Sequence, residues 1–167
     1  MHFCIPGSNA SLIGGEGIII EKTNYHGLFS MGGPIEKKGR LKYIDGCTDS
    51  LLIPPVKKGD PCLNALFFPK GIDQTSHTHP SDRIGLVYSG SGKCITTDET
   101  IDLVPGDLFI IHQEGIHSFR TNSDEELIVV AFHPDSDFGP EDEDHPMINR
   151  TIVDGKSAKS IKAIQTQ

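Results

Sequence analysis

Between residues 63 and 133 short strand-like stretches alternate with tight-turn chemistry, which leaves no room for a long helix. The stretches fall at 63–68, 74–79, 84–88, 93–97, 101–104, 108–111, 116–121 and 127–133. Between them stand Ser89-Gly90-Ser91-Gly92, Pro105-Gly106-Asp107 and Asn122-Ser123-Asp124. Glycine accepts positive φ, proline presets its own φ, and Asn and Asp fold their side chains back onto the backbone, so each break reads as a turn. No stretch sustains the three-to-four period of an amphipathic helix. Eight short strands separated by turns predict an all-β sandwich or barrel with a meandering antiparallel topology, rather than βαβ units.

The flanks are less regular. Residues 1–62 carry strand candidates at 17–21, 27–31 and 50–53, divided by Gly14-Gly15, Gly32-Gly33-Pro34 and Pro54-Pro55; they read as an N-terminal arm with additional strands. Residues 134–167 are polar and proline-punctuated, with a late strand expected at 147–153 and a polar tail or short helix at 157–167. A chain of 167 residues with 36% hydrophobic content can build one good core, so arm, 63–133 core and C-terminal segment are read as one domain.

Within the core, His77 and His79 are two residues apart, and in an extended strand they project from the same face. His117 opens another apolar stretch. If the two strands are neighbours, His77, His79 and His117 make a three-nitrogen facial site for a metal, with positions open to water or substrate. Histidines are often hydrogen-bonded residues without any ligand, and this chain has 8; the spacing is what argues for a site.

That spacing is shared with a known family: residues 71–122 resemble the cupins. Their first motif runs Gly, five residues, His-x-His, three or four residues, Glu, six residues, Gly. Gly71, His77, His79 and Gly90 match it, with Arg83 in place of the Glu. Their second motif runs Gly, five residues, Pro-x-Gly, two residues, His, three residues, Asn. Gly106 and His117 match, His112 replaces the proline, the glycine comes one place late at Gly115, and Asn122 is displaced likewise. The segment between the motifs, 91–105, is short, as in small single-domain members. The resemblance implies a cupin-type antiparallel β-barrel (a double-stranded β-helix, or jelly roll) and a homodimer to which the N-terminal arm adds strands or is exchanged. It also implies one divalent metal ion held by His77, His79 and His117.

Arg83 has two readings. It turns outward to pair with an acid such as Asp82 or Asp98, or it lines the pocket. The second is favoured as the more informative one. Three neutral imidazoles leave a metal its full double charge, and an arginine beside it favours a small anionic substrate, with Arg83 as the anchoring catalytic residue. Gly85, two residues on, would leave room for that ligand. His112 and His133 read as strand-end residues near the rim, with lining of the pocket as the alternative. Cys94 reads as a small buried hydrophobe, with a redox or nucleophilic role as the alternative. The acids at 135–137 and 141–144 form a solvated loop, or with His145 and Arg150 fold over the barrel mouth.

Composition excludes several classes. A formal charge of −8 without a Lys/Arg cluster argues against nucleic acid and anionic membranes as partners. Cys4, Cys47, Cys62 and Cys94 lack C-x-x-C spacing and read as free thiols, and no apolar run is long enough to span a bilayer; a cytoplasmic protein is expected. Three-histidine cupins resemble the thiol and diketone dioxygenases of the superfamily. An iron-dependent dioxygenase is therefore the first expectation, with zinc, nickel or manganese isomerase or lyase chemistry, or a non-catalytic binding module, as alternatives. Because only neutral imidazole binds metal, occupancy is expected to fall as pH drops through ~6.5 and below.

Overall fold

The computed structural model describes residues 1–7, 11 and 13–166. In chain order the strands are β1 (His2–Cys4), β2 (Ser30–Gly32), β3 (Leu41–Lys42), β4 (Thr48–Ile53), β5 (Cys62–Phe68) and β6 (Arg83–Gly90). They continue with β7 (Gly92–Thr96), β8 (Thr100–Leu103), β9 (Leu108–Ile111), β10 (His117–Arg120) and β11 (Leu127–His133). The short helix α1 (Pro146–Arg150) and the strands β12 (Ile152–Val153) and β13 (Lys156–Ser157) complete the chain.

Two antiparallel sheets face each other in a jelly roll. The larger has the order β3-β4-β5-β11-β6-β9, the smaller β10-β7-β8. The ladder does not close into a continuous barrel, and the order departs from the expected meander because β11 lies between β5 and β6. Between the sheets Phe68, Val87, Leu127 and Val129 of the large sheet meet Cys94, Leu103 and Phe119 of the small one. The register explains the choice of residues: Leu127 stands opposite Phe68 and Val129 opposite Leu66, all turned inward, while Ala65, Phe67 and Ile128 turn outward. That outward set is covered by Ile35 and Leu52 from the N-terminal region. Burial on both faces is why β5 reads as a nearly continuous apolar run instead of an alternating one.

Several expected elements differ. Residues 74–79 are not a regular strand. The segment runs alongside β10, joined to it by the isolated bridges Asp73 to Arg120 and His77 to His117 and by hydrogen bonds between Gln74 and Phe119; its polar residues have no apolar alternation to bury. Residues 17–21 form no strand, and 147–153 split into α1 and β12, with His145 as the helix N-cap. The tail contains two short 3-10 turns, Ala158–Ser160 and Lys162–Ile164. Among the described residues no helix is long and apolar enough to cross a membrane.

The chain leaves the large sheet at Gly90 and enters the small one at Gly92. Gly90 has φ of 77° and lies against the strand it pairs with, so an added Cβ would sit 1.8 Å from the Glu126 carbonyl oxygen. Gly106 has φ of 95° but open space around it. Gly106→Ala should therefore cost only backbone strain, about 1 kcal/mol, whereas Gly90→Ala adds a clash with backbone and should cost about 3 kcal/mol or more. Urea unfolding of both variants checks this; equal losses would contradict the sheet-crossing role of Gly90.

Candidate metal centre

His117 is the first residue of β10, and His77 lies directly across from it in an antiparallel bridge. The two residues exchange backbone hydrogen bonds, His77 N–H to His117 O at 2.9 Å and the reverse at 3.0 Å. This pairing supplies the adjacency on which the site depends. His79, two residues beyond His77, joins the same group: the ring centroids are separated by 5.0 Å (His77–His79), 4.5 Å (His77–His117) and 5.2 Å (His79–His117). One nitrogen from each ring lies within 4.8 Å of the others.

Two of the rings are oriented by their own backbone. His77 Nδ1 lies 2.8 Å from the Thr75 carbonyl oxygen and His117 Nδ1 2.9 Å from that of Gly115. A carbonyl only accepts, so Nδ1 carries the proton and Nε2 keeps a free lone pair, the arrangement that presents imidazole to a metal. Burial, then Arg83, then His117 and His77 push the His79 pKa down to about 4. His117, only 2% exposed, is also lowered, mainly by burial, with His77 and Arg83 adding to this and its bond to Gly115 opposing it. The donors fit a divalent metal: at least two of the three imidazoles are held neutral, and no carboxylate stands at the Arg83 position.

Arg83 opens β6 on the facing sheet and is half-buried. Its Nη1 donates to the Ser81 carbonyl at 2.9 Å, to Ser81 Oγ at 2.6 Å and to the Asp82 carbonyl at 3.0 Å, while its Nε is buried without a partner. It does not turn outward to the Asp82 carboxylate, which accepts from the Gln113 N–H at 2.8 Å and faces exposed His112. Arg83 instead lines a cavity of about 300 Å³ together with Pro80, His133, Asp135, Asp137 and Phe138. None of the three histidines lines this cavity; its link to them is Pro80, which follows His79 in sequence, and Arg83, whose charge lowers the pKa of His79 and His117.

Other expectations are corrected here. His133 belongs to the cavity wall, the second of its two readings, and not to the rim. It stands across from Cys62, and burial, then Arg83 and His79, push its pKa down to about 3. Gly85 leaves no free space, because the Phe109 ring fills it, 2.2 Å from where a Cβ would be. Cys94, by contrast, packs in the core as expected. The acidic segment divides: Asp135 accepts from Ser81 Oγ and the following residues line the cavity, while Glu141 and Asp142 pair with Lys58 and Lys57 at the surface. His145 caps α1 instead of closing the mouth.

Sequence reading missed Tyr43 and Ser81. Tyr43 is half-buried and its hydroxyl lies 3.4 Å from His77 Nε2. These contacts join residues 34 and 54 positions apart (Tyr43–His77, Ser81–Asp135), and no local pattern announces them.

The fold and the site define a jelly-roll protein with a three-histidine group of the kind that holds a metal. Residues 66–133 match the family model described as the cupin domain. Among solved structures, the chain is similar to a cupin-like protein of Thermotoga maritima, with 21% identity, 65% of this chain and 86% of that one covered, and a TM-score of 0.54. It is likewise similar to the polyketide cyclase RemF of Streptomyces resistomycificus, with 19% identity, 66% and 89% covered, and a TM-score of 0.53. At these identities the likeness concerns the fold. No curated protein matches the sequence.

The lowered pKa values of His79 and His117 shift the expected pH response. Protons compete for a nitrogen at and below its own pKa, so the lowered values of His79, about 4, and of His117 should extend metal retention below the pH at which free imidazoles would lose it. Metal content after dialysis across this range is the check, and release centred on 6.5 would contradict it. His77→Ala and His79→Ala should purify with sub-stoichiometric metal at neutral pH.

Proposed function

We propose that the protein is a metal-dependent cupin enzyme acting on a small organic acid, with dioxygenase chemistry at a mononuclear iron as the reading the site supports best. The observation that carries it is the pairing of an all-imidazole donor set with an arginine whose Nε is buried without a partner beside a cavity. Iron in such a site supplies dioxygen activation at its open positions. His77, His79 and His117 would hold it. Arg83 would bind and orient the substrate carboxylate, since a planar guanidinium offers paired donors that lysine lacks. Pro80 and Phe138 would limit water at the reacting end.

The charges refine the substrate class. Asp135 and Asp137 act on Arg83 from the cavity wall, and against a divalent metal and one guanidinium they leave a single net positive charge. That balance favours a monocarboxylate over a dianion such as a phosphate ester.

Arg83→Ala should weaken binding of small monocarboxylates by about 1.5–3 kcal/mol, Arg83→Lys by less, and neither should change metal content. Calorimetric titration with metal quantified in parallel is the test; equal affinities would remove Arg83 from the site. Elemental analysis followed by oxygen-uptake screening tests the reaction class. Iron with oxygen consumption supports the dioxygenase, and zinc or nickel with none would replace it by Lewis-acid chemistry.

We also propose a homodimer. The outward face of β6 and β9 presents Ile84 opposite Ile110 and Leu86 opposite Leu108, with Tyr88 beside them, and Leu108, Ile110 and Tyr88 are exposed. An apolar face on an edge strand of a sheet is a surface that a second copy can cover. Sedimentation at micromolar concentration should give twice the chain mass; a monomer would contradict it.

A further inference from the structure

Tyr43 lies between β3 and β4, outside the stretch that matches the family model. Its ring packs against the inter-sheet core and stands edge-on to His77, with centroids 6.4 Å apart and planes at 77°. Its hydroxyl reaches His77 Nε2 at 3.4 Å. Because Nδ1 of the same ring is engaged with the Thr75 carbonyl, Nε2 carries the free lone pair, which a bound metal would also need. Metal binding therefore takes away the acceptor of the Tyr43 hydroxyl. A half-buried hydroxyl left unpaired costs about 1–3 kcal/mol, so the phenol must find another partner within reach.

The distance indicates what that partner is. Two donor atoms sharing one tetrahedral ion at about 2.1 Å lie about 3.4 Å apart, and the Tyr43 oxygen already stands at that spacing from His77 Nε2. Among the described residues the ligand group consists of the three neutral-type donors His77, His79 and His117 with no carboxylate in it, and Arg83 stands on the facing sheet. Hard oxygen donors suit the same ions that imidazole binds.

We propose that the Tyr43 phenol oxygen is the fourth protein donor of the metal centre. It would bind as phenolate, the O–H proton passing to solvent as the oxygen–metal bond forms. This inference rests on the three-histidine reading of the site, and the experiment separates the two.

Full-length protein freed of metal is reconstituted with one equivalent of ferrous iron under argon. It is then treated with a one-electron oxidant, desalted, and examined by visible absorption and resonance Raman spectroscopy, with iron measured in the same samples. A ferric phenolate gives a charge-transfer band in the visible region with enhanced tyrosinate ring modes. Wild type should show both at unit iron stoichiometry. Tyr43→Phe should bind iron and lose both, while Tyr25→Phe and Tyr88→Phe retain them and so assign the band even if Tyr43→Phe folds poorly. Iron bound at unit stoichiometry without the band, or a band that survives in folded Tyr43→Phe, would overturn the assignment of Tyr43 alone. Failure of the wild type to bind iron at all would overturn the three-histidine site and this proposal with it.

Discussion

Everything that makes this chain more than a β-sandwich depends on two backbone hydrogen bonds between His77 and His117. They join a segment that forms no regular strand to the first residue of β10, and so bring together side chains 40 positions apart in sequence. A one-residue slip in that pairing would turn an imidazole to the other face. The slip is resisted by neighbours that fix the register at several points. Gln74 N–H donates to the Phe119 carbonyl, the Gln74 side-chain oxygen accepts from Phe119 N–H, and Asp73 pairs with Arg120. Gln74, only 4% exposed, is thus a buried polar residue whose satisfied bonds specify alignment.

The interior is divided into two environments. At one end Phe68, Val87, Leu103, Phe119 and Leu127 form a closed apolar core. At the other, Arg83 and His133 of the large sheet line a cavity, and the buried histidine group stands beside the small sheet. Burial lowers the pKa of His79, His117 and His133 and so favours their neutral forms. It also leaves donors such as Arg83 Nε and acceptors such as Asn64 Oδ1 unsatisfied. An unpaired buried donor beside a cavity, as at Arg83, is costly unless a ligand completes it, which is why it marks a functional region.

The legible part of this structure was the part written at short range. The glycines at 71, 90 and 106 all adopt positive φ, so their spacing reports turns directly, and His77 with His79 reports a shared face. Arg83 stood out as a charge where the resemblance implied a carboxylate. What stayed hidden was set by tertiary neighbours. Gly85 suggested open space, but the size of Phe109 from β9 decided otherwise. His133 looked like a strand-end residue, and only its position across from Cys62 placed it inside. Residues 74–79 looked like a strand because histidine spacing mimics β alternation, although extended backbone with isolated bridges does the same work.

The central claim is that one metal ion sits among His77, His79 and His117. Crystals grown with ferrous iron, measured on both sides of the iron absorption edge, test it without reference to any activity. The account predicts a single anomalous peak within about 2.0–2.3 Å of one nitrogen from each of the three rings. A peak at the acidic surface segment 141–144, or well-diffracting iron-soaked crystals with no peak among the three histidines, would contradict it.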